Sequence, residues 1–459
     1  QRRILAAGRL RDGHLDQHIA RPPRLDDPPA GRRARPDQPV PVRLVARQGE
    51  EHPRVPEQPI DHHQRVGRQP HVVDEDGNDY LDFHNCYTTM ILGHGNADVK
   101  AAIKEQLDEG TIALGAFKKN VVTWAQILCE RVESVDQVRF TCTGTEAVMM
   151  AIRAARASTG RNKIIMEYGG YHGAYDAVVF PPNSRGLPSS LMNDTILVPY
   201  NDKEALANAL HEHKGEVAAL ILEGLMGAAG MIPPHAGYLQ FAREISSQHG
   251  VVFILDEIIS FRLDYGGIQQ IEDVKPDLTT FGKIMAGGTA MAAFGGRPEL
   301  MQLYSPDNQV LHHAGTLNAN PLSAAAGVAM MKQITPELIA RINALGASLR
   351  DGLRGIFVKA GIKGQVTGMG SLCNVHFGPV PVTDGYTARE TTNKEILHLF
   401  HLSLINRGIL IPERAMFCIS APMTEREISA ALKAVEDVVQ ELKPHVAELW
   451  PDLIGQVEA

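Results

Sequence analysis

From residue 71 onward, short apolar runs alternate with stretches whose apolar positions recur every three or four residues. That is the pattern of a chain alternating strand and helix. Asp74-Glu75-Asp76-Gly77-Asn78-Asp79-Tyr80-Leu81-Asp82-Phe83 predicts a hairpin, an acidic Asp-Gly turn between two apolar runs. Strands are predicted at Val138–Thr141, Lys163–Met166, Thr195–Val198, Ala218–Glu223, Val251–Asp256 and Leu278–Phe281, with helices between several of them, notably Glu146–Ser158 and Gly237–His249. Near-continuous apolar strands such as Val251-Val252-Phe253-Ile254-Leu255 suit a parallel sheet covered on both faces. After about residue 330 the pattern changes to a long amphipathic helix (Pro336–Lys359), short strands, and a last helix that starts at the capping box Thr424-x-x-Glu427 and stops before Pro444. The expected architecture is α/β, with residues 71–115 and 331–459 forming a smaller α+β domain around a large domain at 116–330.

Residues 1–70 do not share this pattern. They hold 14 Arg against 9 acidic residues and lack Lys, Ser, Thr, Asn, Phe, Tyr, Trp, Met and Cys. Apart from three Ile, every residue there belongs to the ten types whose codons can begin with G or C. A GC-rich gene read out of frame produces this alphabet, with the frame restored just before Val72-Val73-Asp74. A basic disordered arm is the alternative; sequencing the DNA separates the two.

The other bulk properties narrow the class. A net charge of −8 carries no bias toward nucleic acid. No apolar stretch approaches the ~18–20 residues of a membrane helix, and no apolar leader opens the chain. The five cysteines are scattered without a C-x-x-C pair, as expected of reduced thiols in a cytoplasmic protein rather than a disulfide framework or zinc site.

Candidate chemistry sits at predicted strand ends. Asp256 ends the most apolar strand, where an open α/β sheet faces its ligand crevice; it could hold a proton on a ring nitrogen or cap a local turn. Lys283 follows Gly282 and precedes Gly287-Gly288, positions that allow close approach of a cofactor, although most lysines are solvated. Thr143-Gly144-Thr145-Glu146 joins a strand to a helix N-terminus, offering N–H groups to a phosphate, and reads equally as a capping box. Tyr171-His172-Gly173 follows another strand; an aromatic there could lie on a planar cofactor or simply pack.

Taken in order, these motifs resemble those of the class III aminotransferases. Asp74-x-Asp-Gly-Asn-x-Tyr-x-Asp-Phe83, Leu92-Gly93-His94-Gly95, Thr143-Gly-Thr-Glu-Ala147 and Arg153-x-x-Arg156-x-x-Thr159-Gly160-Arg161 match the N-terminal half. Tyr171-His172-Gly173, Asp256-Glu257, Pro276-Asp277, Gly282-Lys283, Gly287-Gly288, Gly295-Gly296-Arg297 and Gly315-Thr316-x-x-x-Asn320-Pro321 continue it. The flavour is that of the glutamate-1-semialdehyde aminomutase and β-amino-acid aminotransferase subgroup.

The resemblance implies pyridoxal phosphate (PLP) fold type I and a homodimer with active sites at the interface. Lys283 would carry the cofactor as a Schiff base, and Asp256 would pair with its pyridine nitrogen. Thr143, Gly144 and Thr145 would hold the phosphate, with Thr316 reaching that of the neighbouring subunit. Tyr171, beside His172, would stack on the ring opposite Ile258, and Glu223 would stand near the substrate. An amino donor and an oxo acceptor would be the small-molecule partners. An aminomutase, or an inactive PLP-binding relative, is the alternative. Two departures stand out: Glu223-Gly224-Leu225 replaces Glu-Pro-Val, which is expected to loosen that loop, and the subgroup's upstream carboxylate-binding arginine would fall in the anomalous segment.

Overall fold

The computed structural model describes residues 69–455, apart from 111–117, 180–184, 189–190, 192 and 309. The anomalous segment therefore lies outside the described residues, except for Gln69 and Pro70. Gln69 exchanges backbone bonds with His94, and the Pro70 carbonyl accepts from Asp82 N–H.

The strands, in chain order, are β1 (His71–Val73), β2 (Asp79–Asp82), β3 (Gln137–Thr141), β4 (Lys163–Glu167), β5 (Thr195–Val198), β6 (Val217–Glu223), β7 (Val252–Asp256), β8 (Leu278–Phe281), β9 (Ala292–Gly296), β10 (Gly364–Met369), β11 (Leu372–Phe377), β12 (Ile409–Leu410) and β13 (Met416–Cys418). Seven form one sheet in the order β3-β9-β8-β7-β6-β4-β5. Its strands are parallel except β9, which runs antiparallel to both neighbours. Every residue of β6, β7 and β8 is buried, as a parallel sheet between helical layers requires. The hairpin β1–β2 pairs with β12, and β10, β11 and β13 form a third sheet. The arrangement is the α/β architecture expected of fold type I, a large, mostly parallel sheet with smaller sheets beside it.

The missed strand, β9, has a physical explanation. It ends in Gly295-Gly296, which reads as loop. A Cβ on Gly295 would lie 2.6 Å from the Gln137 carbonyl oxygen, and one on Gly296 2.2 Å from that of Asp277. The glycines admit neighbouring backbone, and the price is the loss of the apolar signal that marks a strand.

Helix α1 (Gly144–Thr159) follows β3, and its N-cap Thr143 forms the expected capping box with Glu146. The final helix, α2 (Glu425–Leu449), also starts at its capping box but does not stop before Pro444; the proline lies inside it. An interior proline removes one helical bond and costs about 3 kcal/mol. Burial of Leu442 and Val446 on one side of the helix, with Leu453 beyond it, offsets that loss.

Candidate active site

The register of the large sheet lines up three chemical groups. Glu223 of β6 is the cross-strand neighbour of Asp256 of β7, which is the neighbour of Thr280 of β8. All three side chains therefore share one face at the carboxyl ends, and Lys283 follows two residues beyond β8. Asp256 is nearly saturated: Oδ1 accepts from Thr280 Oγ1 at 3.0 Å and Ile258 N–H at 3.1 Å, and Oδ2 faces His172 Nδ1 at 2.7 Å. The local turn and the longer-range site are both present. Its neighbour Glu257 has a different task. It accepts from Ile268 and Gln269 N–H and from Ser260 Oγ, holding the loop after β7.

Lys283 has φ of 49°, a left-handed conformation uncommon outside glycine. Burial holds its amine below the ordinary lysine range. The Arg414 charge adds to that effect, while the Asp256 and Glu223 carboxylates oppose it. Burial also pushes Glu223 up, to about 7, with Glu167 adding to the shift. Glu223 stays oriented because Oε1 accepts from Tyr171 N–H and Oε2 from Gly227 N–H, each at 2.9 Å.

The turn after β3 opens on the same edge. Glu146 Oε2 takes the N–H groups of Cys142 and Thr143, and Thr143 Oγ1 takes that of Glu146. The capping box thus leaves the first-turn N–H groups of Gly144 and Thr145 at a positive helix end, a ready anion seat. A Cβ on Gly144 would lie 2.6 Å from Ile258 Cδ1, and one on Gly282 3.2 Å from Ile258 Cγ2. Ile258 therefore packs as an apolar floor between the turn at Gly144 and Gly282, the residue before Lys283. Gly173 is pressed onto Thr145, whose Oγ1 accepts Ala174 N–H at 3.2 Å. Tyr171 is 60% exposed on this side, and His172 beside it is fully buried.

Thr316 is not brought into this group. It lies on an exposed loop and bonds none of these residues within one chain. That loop is tethered to the turn after β3 through Cys142 Sγ and Asn318 Oδ1, 3.5 Å apart. Gly224 also departs from expectation. A Cβ there would lie 2.3 Å from Ile268 Cγ2 and 2.9 Å from Ser260 Oγ. The space of the absent proline ring is filled by neighbours, so the loop is packed rather than loosened.

Three further residues escaped the sequence reading. Arg414 is half-buried; its Nη1 donates to the Ala228 carbonyl at 3.3 Å, its Nη2 lies 3.1 Å from Met416 Sδ, and its buried Nε has no partner among the described residues. Burial lowers its pKa, while Glu223 and Tyr87 raise it. Tyr87 lies with its ring 5.7 Å from the Arg414 guanidinium and belongs to a turn, Asn85–Thr88, in which four consecutive non-glycine residues have φ between 47° and 77°. The third, Glu167, ends β4 and contacts His172. No local pattern marks any of them. Arg414 stands in an irregular loop, Tyr87 in a segment with no periodicity, and Glu167 reads as the polar end of a strand.

The turn is held by distant partners. Asp82 Oδ1 accepts the N–H groups of His84 and Asn85, and its Oδ2 faces His94 Nε2 at 2.7 Å. Asn85 donates to the Cys418 carbonyl at 2.6 Å, and the buried Arg262 donates to the Thr88 carbonyl at 3.1 Å.

Comparison with known proteins agrees with this geometry. The aminotransferase class-III family model matches residues 56–439. Glutamate-1-semialdehyde 2,1-aminomutase of Methanocaldococcus jannaschii is 37% identical over 386 residues, covering 81% of this chain and 90% of that protein. The structure of an omega-transaminase from Sphaerobacter thermophilus superposes with a TM-score of 0.79 at 37% identity, over 82% of this chain and 90% of that one. A beta-phenylalanine aminotransferase from Variovorax paradoxus gives 0.78 at 31% identity, over 85% and 88%. With the family model spanning most of its length and strand ends that bring Lys283, Asp256 and Glu223 together, this chain belongs to the class III aminotransferases, enzymes that use pyridoxal phosphate.

Proposed function

We propose that this enzyme is a transaminase acting on an amine that bears a carboxylate, β-amino acids foremost, with an oxo acid as acceptor. The observation that carries the reading is Arg414: a half-buried guanidinium whose buried Nε is unpartnered among the described residues, close enough to Lys283 and Glu223 for their charges to act on one another. A guanidinium with a buried, unused donor is a seat for a carboxylate. It supplies from the C-terminal side what the upstream arginine would otherwise provide.

The residues fit pyridoxal phosphate. The N–H groups of Gly144 and Thr145 suit its phosphate, Ile258 and Tyr171 suit the two faces of its ring, and Asp256 suits its pyridine nitrogen. When bound, the cofactor supplies an electron sink that makes the proton on the amine-bearing carbon removable. Lys283 Nζ, its basicity lowered by burial, would take that proton and hold it for return two atoms away, across the amine nitrogen. Arg414 fixes the substrate's carboxylate so that this carbon faces Nζ. Glu223, with a carboxyl that titrates near 7, takes or gives a proton at the cleft wall during release of the oxo product. Thr316, beside the exposed Leu317, reaches the phosphate site of a second copy in a homodimer.

The second reading is an aminomutase, favoured by the 37%-identical relative that carries that name. Half-reactions separate the two. A transaminase consumes the amino donor stoichiometrically with enzyme and needs an external acceptor to turn over. Turnover of a single substrate with no acceptor present would overturn the transaminase reading.

A further inference from the structure

Behind Asp256 lies a second layer of charge. His172 is fully buried, and its ring stands between two carboxylates: Nδ1 is 2.7 Å from Asp256 Oδ2, and Nε2 is 3.4 Å from Glu167 Oε2. Glu167 is itself fully buried and anchored, since its Oε1 accepts Glu223 N–H at 2.7 Å. A Cβ on Gly170 would lie 2.8 Å from Glu167 Cγ, Cδ and Oε1, so the glycine makes room for this side chain.

We propose that Glu167 is a positioning residue: it holds His172 as a doubly protonated imidazolium, which in turn keeps Asp256 aimed at the cofactor's pyridine nitrogen.

A neutral imidazole has one donor and one acceptor nitrogen. With both nitrogens facing carboxylate oxygens, the neutral ring would set a lone pair against an oxygen on one side, at high cost in a dry interior. The imidazolium satisfies both contacts. Burial alone would lower the His172 pKa. The Glu167 charge and the Asp256 bond outweigh it and place the group well above the ordinary histidine range. The facing titratable groups are Glu167 and Asp256, with Glu223 acting from β6. With His172 on Oδ2 and Thr280 and Ile258 on Oδ1, three contacts fix the orientation of the Asp256 carboxyl group. Glu167 touches neither substrate nor cofactor and acts only through the ring.

The inference rests on the assignment of Asp256 to the pyridine nitrogen. The test is ¹⁵N NMR of histidine-labelled full-length protein at pH 8, with His172 identified by the signals lost in His172→Gln. In the wild type, both ring nitrogens of His172 carry protons. In Glu167→Gln, the Nε2 proton is lost and PLP dissociates about tenfold more readily, the worth of one charge-assisted contact. A wild-type His172 with a single protonated nitrogen overturns the proposal, even if the variant does not fold. So does a Glu167→Gln protein with unchanged His172 signals and PLP affinity. Asp256→Asn separates the two assignments. If that variant keeps its PLP affinity, the Asp256 reading fails. If it loses PLP while Glu167→Gln does not, only the Glu167 proposal falls.

Discussion

The ends of β6, β7 and β8 and the turn Asn85–Thr88 both belong to the candidate site but are built in opposite ways. The strand ends are carried by three adjacent, fully buried strands, and their register alone aligns Glu223, Asp256 and Thr280. The turn has no such scaffold. Four non-glycine residues adopt left-handed backbone, at roughly 1–2 kcal/mol each, and are held there by Asp82, Arg262 and the Cys418 carbonyl. The half that we assign to the cofactor follows from sheet formation. The half that we assign to the substrate exists only while remote segments stay docked, so the two should fail separately.

The largest expected break is in the cofactor half. Lys283→Ala should remove the visible absorbance of bound cofactor and lower kcat by at least about 10³-fold, since it deletes the proton-transfer group. Absorption spectra and single-turnover rates check both.

Arg414→Ala should act on the other half alone. Loss of a charged bond worth about 1.5–3 kcal/mol should raise KM for carboxylate-bearing donors about 10–100-fold and leave the absorbance intact. Simple amines should be nearly unaffected. An equal loss for both donor classes would unseat Arg414 from its role.

Glu223 sharpens the comparison through pH. Its folded pKa, about 7, is raised above the ordinary 4.5, so its contribution to stability is fully present below pH 4.5 and is lost as pH rises through 7. The apo protein should lose stability on the order of 1–3 kcal/mol across that window, and Glu223→Gln should flatten the slope. Denaturant midpoints at pH 5 and 8 measure it.

The smallest effect concerns strain. Thr88 has φ of 77° and a buried hydroxyl without a partner among the described residues. Thr88→Gly should relieve the turn and stabilise the protein by about 1 kcal/mol, read as a rise in Tm. A fall would mean that the methyl packing outweighs the strain.

Much of the candidate site was legible because strand ends announce themselves. A run such as Val252–Leu255 followed by Asp256 marks both the strand and the group at its carboxyl end, and Thr143 with Glu146 marks the helix start that follows β3. Helix α2 was misjudged at Pro444 because propensity is local, whereas the burial that carries the helix past the proline is not. Strand β9 was hidden because its glycines answer to the backbone of β3 and of the segment before β8.

What the sequence alone determined is therefore the order and polarity of the elements, and with them the placement of the candidate residues: Lys283 and Asp256 near strand ends, Gly144 and Thr145 at a helix start. Only the tertiary structure decided which charges meet. Glu167 reaches His172, Arg414 faces Tyr87, and Arg262 pins Thr88 across 174 residues of chain. Such contacts depend on how separate elements pack, and a local pattern of apolar and polar residues carries no record of that.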